Sequence, residues 1–414
     1  VLEIDKGWGA THNPAVYIFT GFLIMALHKF PLLLIVAFTL IACGKAETQV
    51  AKPKDAEEVV TKIGASSPLT GPQAHIGKDN ENGTRMAIDD ANAKSLTVGG
   101  KKVRFELLSE DDQTDPKTAT IVAQKLVDAK VNGVIGHLNS GTTIPASRIY
   151  SENGIPQISP SATAVAYTAQ GFKTAFRVMA NDAQQGKVLG EFAAKNLSAK
   201  KIAVIDDRTA YGQGIADEFV KSAEASGAQI ISRQYTTDKA IDFASVLTSI
   251  KGKQADLIFF GGMDPQGAPM VKQLRALGMK IPFMMGDGGY TPKLIENGGA
   301  AAEGAYASLP GVPLDKMPSG RDFATRYEAQ FKQPIQLYAP YCYDAVNVMI
   351  AAMQKVDSAE PAKYLPELGK VVHEGVTAKI AFDEKGDLKG GAITLYQVRE
   401  GKWQVVETMG GVAP

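Results

Sequence analysis

Apolar runs and small polar loops alternate along this chain in a scheme that occurs twice. In VNGVIGHLNS, residues 131–140, Val, Ile and Leu run into small polar residues, and IPQISPSAT at 155–163 does the same. ADLIFFGGMD at 255–264 and IPFMMGDGG at 281–289 repeat the scheme. Each copy predicts a helix, a buried strand, a small-residue loop, a helix, Ile-Pro, a second strand and a polar loop. Near-continuous apolar strands separated by helical spacing predict parallel sheets covered on both faces, joined by right-handed crossovers. The expected architecture is therefore α/β, with two lobes and loops at matching strand ends, where such sheets bind small ligands.

The elements follow from the same spacing. Val59, Val60 and Ile63 open the first lobe as a strand, and residues 83–94 form a helix with Met86, Ala87, Ala91 and Ala93 near one face. A strand at 103–116 ends in a polar turn, and a helix spans 117–130. Loop 138–143 precedes a helix in IPASRIYSENG, residues 144–154. In the second lobe, 200–214 is a strand and a loop that opens a helix at Ile215. Helices at 243–254 and 269–280 flank the ADLIFFGG strand, the second one ended by Gly278 with Pro282 beyond. Near residue 310 the chain returns to the first lobe through helices at 321–332 and 341–356, and 391–407 reads as a β-hairpin. The expected division is 59–181 with 311–388 for lobe one, and 182–310 with 389–414 for lobe two.

The N-terminus reads as a targeting segment. From Met25, His28 and Lys29 precede an apolar stretch from Pro31 to Ala42 that is short for a membrane span. Leu40-Ile41-Ala42-Cys43-Gly44 resembles the bacterial lipobox, which marks Cys43 for lipidation. A plain secretory signal cut after Ala46 is the competing reading, and His28 to Pro31 interrupts any membrane helix from Ala15 to Cys43. Residues 1–24 thus read as an upstream non-structural segment, 25–42 as a signal peptide and 43–58 as a polar tether. This predicts a periplasmic protein, reaching the membrane only through a lipid.

Composition narrows the chemistry. At 414 residues the chain exceeds one ordinary core. Its 44 basic and 44 acidic residues cancel, which points away from nucleic acid. Cys43 and Cys342 provide neither a disulfide framework nor a cysteine metal site, and Cys342 reads as a buried apolar residue. The five histidines lack metal spacing, and there is no P-loop or Gly-x-Ser-x-Gly elbow. Gly212-Gln213-Gly214 lacks the third glycine of a dinucleotide fingerprint, so an NAD-linked dehydrogenase is a remote alternative. No catalytic residue, cofactor or metal is expected, and His137 beside Ser140 reads as a strand-end packing residue rather than a base.

The loops suit a zwitterion. Burying a free amino acid strips hydration from two charges, and the site must replace it. Asn139, Ser140, Thr142 and Thr143, with Ser161, Ala162 and Thr163 on the neighbouring loop, form a carboxylate cradle. The same residue types also serve as ordinary helix caps. Asp287, set between glycines after a strand, is the candidate partner for the ammonium, although turns also favour Asp-Gly. Tyr211 and Asp182 are candidates for further contacts, and Leu138, Met263 and Ile76 for an apolar wall.

SSPLTGP, AIDDANAK, SEDDQTDPKTA, VIGHLNSGTT, PASRIYSENGIPQISPSAT, FRVMANDAQQG, AVIDDRTAYGQG and FDEKGDLKG resemble the leucine/isoleucine/valine-binding proteins of bacterial ABC transporters, over roughly residues 60–400. The resemblance implies a two-lobed type I periplasmic-binding fold with three hinge crossings. It also implies a non-catalytic receptor that takes a free amino acid and hands it to an inner-membrane ABC permease. Ser140 and Thr163 would hold the carboxylate, and the Thr163 hydroxyl, the Ser161 carbonyl and Asp287 the ammonium. The chain departs from that pattern in carrying Asp at 287 for Glu, aliphatic Ile76 for an aromatic residue and Met263 for Tyr. Thr114 and Asn139 stand where the family's cysteine pair would be. The alternative within the fold is a receptor for an amide or organic acid that feeds a sensor.

Overall fold

The computed structural model describes residues 58–410. The expected signal segment, Cys43 and nearly all of the tether lie outside the described residues. The first lobe runs β1 (Glu58–Ser67), α1 (Ala74–Ala93), β2 (Thr97–Val98), β3 (Lys101–Asp111), α2 (Pro116–Asp128), β4 (Gly133–Gly136), α3 (Ser140–Glu152), β5 (Gln157–Ser159), α4 (Ala166–Ala169) and β6 (Ala175–Arg177). Its sheet has the order β2-β3-β1-β4-β5-β6 and is parallel except at β2–β3. The second lobe runs α5 (Asp182–Glu191), β7 (Lys201–Asp206), α6 (Ala210–Ala225), β8 (Gln229–Tyr235), α7 (Ala244–Gly252), β9 (Leu257–Gly261), α8 (Asp264–Ala276), β10 (Phe283–Met285), α9 (Pro292–Gly298) and β11 (Tyr306–Pro310).

The chain then forms α10 (Gly320–Phe331), α11 (Ala339–Lys355), α12 (Pro361–Leu368) and a small pair, β12 (Val372–Glu374) with β13 (Lys379–Ala381). Of these, α11 packs on α1 and β4. The last two strands, β14 (Ala392–Arg399) and β15 (Lys402–Gly410), form the hairpin. β14 pairs antiparallel with β11, giving the second sheet the order β15-β14-β11-β10-β9-β7-β8. The chain passes between the sheets after β6, after β11 and before β14. Two α/β lobes joined by three crossings are the arrangement that the resemblance implies. Every residue of β9 is buried, as expected of a strand covered on both faces.

Several helices begin earlier than their spacing predicts, α8 at Asp264 rather than residue 269 among them. α1 starts at Ala74 rather than Gly83. Glycines at 77 and 83 read as breakers, but a Cβ on Gly77 would lie 1.9 Å from the Pro68 carbonyl oxygen, and one on Gly83 2.2 Å from that of Ala339. They are there for close backbone approach, and packing offsets their poor helix propensity. α3 starts at Ser140, so the loop expected at 138–143 is mostly the helix's first turn, with Pro145 inside the helix. α6 starts at Ala210, capped by Thr209 whose hydroxyl accepts the Gly212 N–H at 2.9 Å, so Tyr211 lies on a helix and not in a loop. Among the described residues no helix is long and apolar enough to cross a membrane, and no acidic, His or Cys group is arranged to hold a metal.

Candidate functional site

The loops after β4 and β5 are tied into one surface. The Ser140 hydroxyl oxygen accepts the Ala164 N–H at 3.1 Å, and the Ser161 hydroxyl donates to the Leu138 carbonyl at 3.0 Å. The Ser161 hydroxyl hydrogen is thus committed inside the lobe. The Ala162 N–H donates to Ser159 Oγ at 2.9 Å, and the Ala162 carbonyl accepts from Arg177 Nη1 at 2.8 Å. Underneath, His137 is fully buried between Asp112 (2.8 Å) and the Tyr150 hydroxyl (3.0 Å), while its carbonyl accepts from Thr143 and Ser159. That network holds the start of α3 in place, with the helix's positive end and the Ser140 hydroxyl at the strand ends, where an anion is favoured.

Asp287 follows β10 in the second sheet and is fully buried. One carboxylate oxygen accepts from the Tyr211 hydroxyl at 2.8 Å and Gln185 Nε2 at 3.1 Å, the other from the Tyr338 hydroxyl at 2.6 Å. Gln185 Oε1 accepts the Asp287 N–H at 2.9 Å, and the Tyr211 hydroxyl oxygen accepts the Gly288 N–H at 3.0 Å. The flanking glycines make this cage possible. A Cβ at Gly286 would lie 2.6 Å from the Tyr211 oxygen, and one at Gly288 2.6 Å from the Met263 sulfur. Burial raises the Asp287 pKa, and the three donors oppose the rise by stabilising its anion.

Asp182 is the first residue of α5 and is also fully buried. Its N–H donates to the Thr163 carbonyl at 2.9 Å. Neither of its carboxylate oxygens, nor the Thr163 hydroxyl, has a hydrogen-bond partner of normal geometry among the described residues. Burial pushes the Asp182 pKa up to about 8, the negative charge of Asp287 adds to the rise, and the nearby Thr163 hydroxyl offsets part of it. A Cβ at Gly214 on α6 would lie 3.1 Å from Asp182 Oδ2. Two buried acids that raise one another's cost of ionisation, beside an unpartnered hydroxyl, form a site whose charge is relieved by a cation.

Ile76, Leu138, Tyr211, Met263 and Tyr338 belong to one buried apolar cluster that spans both lobes. Asn139 donates from Nδ2 to Gln73 Oε1 at 2.8 Å, and its own side-chain oxygen has no partner. Ser140, Ser161, Ala162, Thr163, Leu138 and Asn139 stand at the strand ends of the first sheet, and Tyr211, Met263 and Asp287 at those of the second. Asp182 lies where the chain crosses between them. Sequence reading missed Gln185 and Tyr338. Gln185 lies in a polar helix start, and Tyr338 in the turn before α11, far along the chain from the residue it bonds.

Residues 60–402 match the profile of the periplasmic binding protein family. A leucine-, isoleucine-, valine-, threonine- and alanine-binding protein of Pseudomonas aeruginosa is 34% identical over 336 residues, spanning 81% of this chain and 89% of its own length. Among solved structures, a leucine-binding protein of Thermotoga maritima superposes with a TM-score of 0.79 at 27% identity, covering 84% of this chain and 98% of that one. A branched-chain amino acid transporter substrate-binding protein of Streptococcus pneumoniae, in complex with isoleucine, has a TM-score of 0.76 at 25% identity, covering 85% and 100%.

Proposed function

The chain belongs to the periplasmic binding protein family, and we propose that it is an extracytoplasmic receptor that captures a free amino acid between its lobes for an inner-membrane ABC permease. The relatives that bind leucine, isoleucine, valine, threonine or alanine support an amino acid as ligand. The observation that carries the reading is the division of the site. The start of α3 and the Ser140 hydroxyl, on the first lobe, take the carboxylate, with the Thr163 hydroxyl reaching both poles. Asp287 on the second lobe, with Asp182 and the Ser161 carbonyl, takes the ammonium. A ligand that touches both lobes stabilises their closed arrangement, and closure is the state a permease can distinguish.

Isothermal titration calorimetry tests the assignment. Asp287→Asn weakens amino-acid binding by more than tenfold, since a charged hydrogen bond of roughly 1.5–3 kcal/mol is lost. Ser140→Ala and Thr163→Ala each weaken it as well. A deaminated analogue that bound as tightly as its parent amino acid would remove the ammonium role from both acids.

A further inference from the structure

Beside the proposed grip lies a second compartment of about 380 Å³, walled from the first lobe by Gln73, Thr114 and Asn139 and from the second by Asp207, Arg208 and Asp238. Tyr211 and Met263 line it too, and the Tyr211 hydroxyl also donates to Asp287, so this side chain stands between the compartment and the proposed grip. Its volume equals that of roughly a dozen liquid waters, more than a branched aliphatic side chain needs.

The chemistry of the wall is not that of an aliphatic pocket. Asp207 is 2% exposed and its Oδ1 is taken by the Thr209 N–H (2.9 Å) and hydroxyl (2.6 Å), while Oδ2 has no partner. Two glycines make room for this carboxylate. A Cβ at Gly212 would lie 2.1 Å from Oδ1, and one at Gly262 3.0 Å from Oδ2. Across the compartment, Asn139 Oδ1 is likewise buried and unpartnered, its amide nitrogen being committed to Gln73. Arg208 is held over the Tyr235 ring, 3.4 Å from its centroid. Burial pushes the Asp207 pKa up to about 6, with Asp238 and Asp206 adding to the rise. Both orphaned atoms are acceptors, and each costs about 1–3 kcal/mol while left without a donor.

We infer that this compartment receives the ligand's side chain and selects amino acids whose side chain ends in a nitrogen donor, an amide or a cation, with Asp207 and Asn139 as the selecting residues. The inference rests on the amino-acid reading of the neighbouring grip. A site built to hydrogen-bond a donor rejects the isostere that lacks one far better than an apolar pocket rejects an extra polar group.

Calorimetry on the mature protein with alanine, leucine, glutamine, lysine and arginine decides it. The expected result is that at least one nitrogen-bearing amino acid binds ten times or more tighter than leucine, glutamine against arginine telling amide from cation. In Asp207→Asn, and independently in Asn139→Ala, that ratio falls below three. A wild-type ratio under ten, or a ratio that survives both substitutions, overturns the inference while leaving the grip intact if alanine still binds. Failure of every amino acid to bind would instead overturn the grip, and the compartment's role with it.

Discussion

Asp182 is the residue where the chemistry of this site is most exposed to measurement. Its carboxyl is pushed up to about 8, so near pH 7 the ligand-free protein holds it neutral. An ammonium placed against it favours the anion, and its pKa therefore falls on binding. Affinity should rise with pH, by up to tenfold per unit, from neutrality to about pH 8, and level off above that. Titrations near pH 7 in buffers of different ionisation enthalpy should report release of close to one proton. Uptake, or none, would remove Asp182 from the ammonium's surroundings. The same shift has a consequence for stability. Between the unfolded value of 3.8 and about 8, the native state binds the proton and the unfolded state does not, so the ligand-free protein loses stability as pH rises. Asp182→Asn lacks this loss. Its stability should gain on wild type across that window, by no more than about 1.4 kcal/mol per pH unit and seen as a higher melting temperature, while amino-acid binding weakens. The acids and hydroxyls of the site were readable in the sequence because each follows an apolar strand and stands among small residues. Gln185 and Tyr338 were not, since nothing local separates them from an ordinary cap and an ordinary core aromatic.

Helix α1 shows what periodicity conceals at the next scale. Its apolar spacing is clear only beyond Gly83, yet the helix reaches back to Ala74 because Gly77 and Gly83 are where neighbouring backbone touches it. A sequence carries propensity, and propensity reads these glycines as stops; the partner that makes them useful is supplied by the fold. Likewise Ser140 begins α3, so the predicted loop is mostly a helix terminus, which places the anion-favouring end of the dipole at the site. The central strands β1, β4, β7, β9 and β10 were readable because a run of buried β-branched and aromatic residues needs no partner to be recognised, whereas β2, β6 and β11 were not foreseen, being short or, in β11, leading into a loop rich in Pro and Gly. Gly83→Ala puts a methyl 2.2 Å from the Ala339 carbonyl oxygen, which is backbone and cannot rotate away. We expect an overpacking cost of about 1–3 kcal/mol, seen as a melting temperature lowered by a few degrees. Because Tyr338 immediately precedes α11 and bonds Asp287, amino-acid affinity should fall in the same variant. Gly252→Ala, whose methyl meets nothing within 4 Å, is the control and should melt at or above wild type. Equal melting of the two variants would show that α1 and α11 can separate at no cost.

At the scale of the whole molecule, closure depends on contacts that join the lobes without touching the ligand. The duplication of the α/β scheme was plain in the sequence, but these contacts were not. His75 on α1 and Asp264 on α8 are separated by 189 positions, and nothing in the sequence pairs them. In the structure His75 Nε2 and Asp264 Oδ2 lie 3.0 Å apart, within hydrogen-bond distance across the cleft. Asp264 is 2% exposed and accepts a second hydrogen bond from the Thr291 hydroxyl at 3.0 Å, whereas His75 retains 17% exposure. When the lobes part, both side chains return to water, so the pair favours the closed arrangement and leaves the open one unaffected. His75→Ala should therefore weaken amino-acid binding although His75 makes no contact with the proposed grip. A charged hydrogen bond is worth about 1.5–3 kcal/mol when fully shielded, and the partial exposure of His75 reduces that. We expect the dissociation constant to rise about three- to tenfold, with the change in the dissociation rate rather than in association, because the pair forms only after encounter. Stopped-flow measurements on wild type and His75→Ala separate the two rates. An unchanged dissociation rate would mean that the His75–Asp264 contact does not hold the closed lobes together.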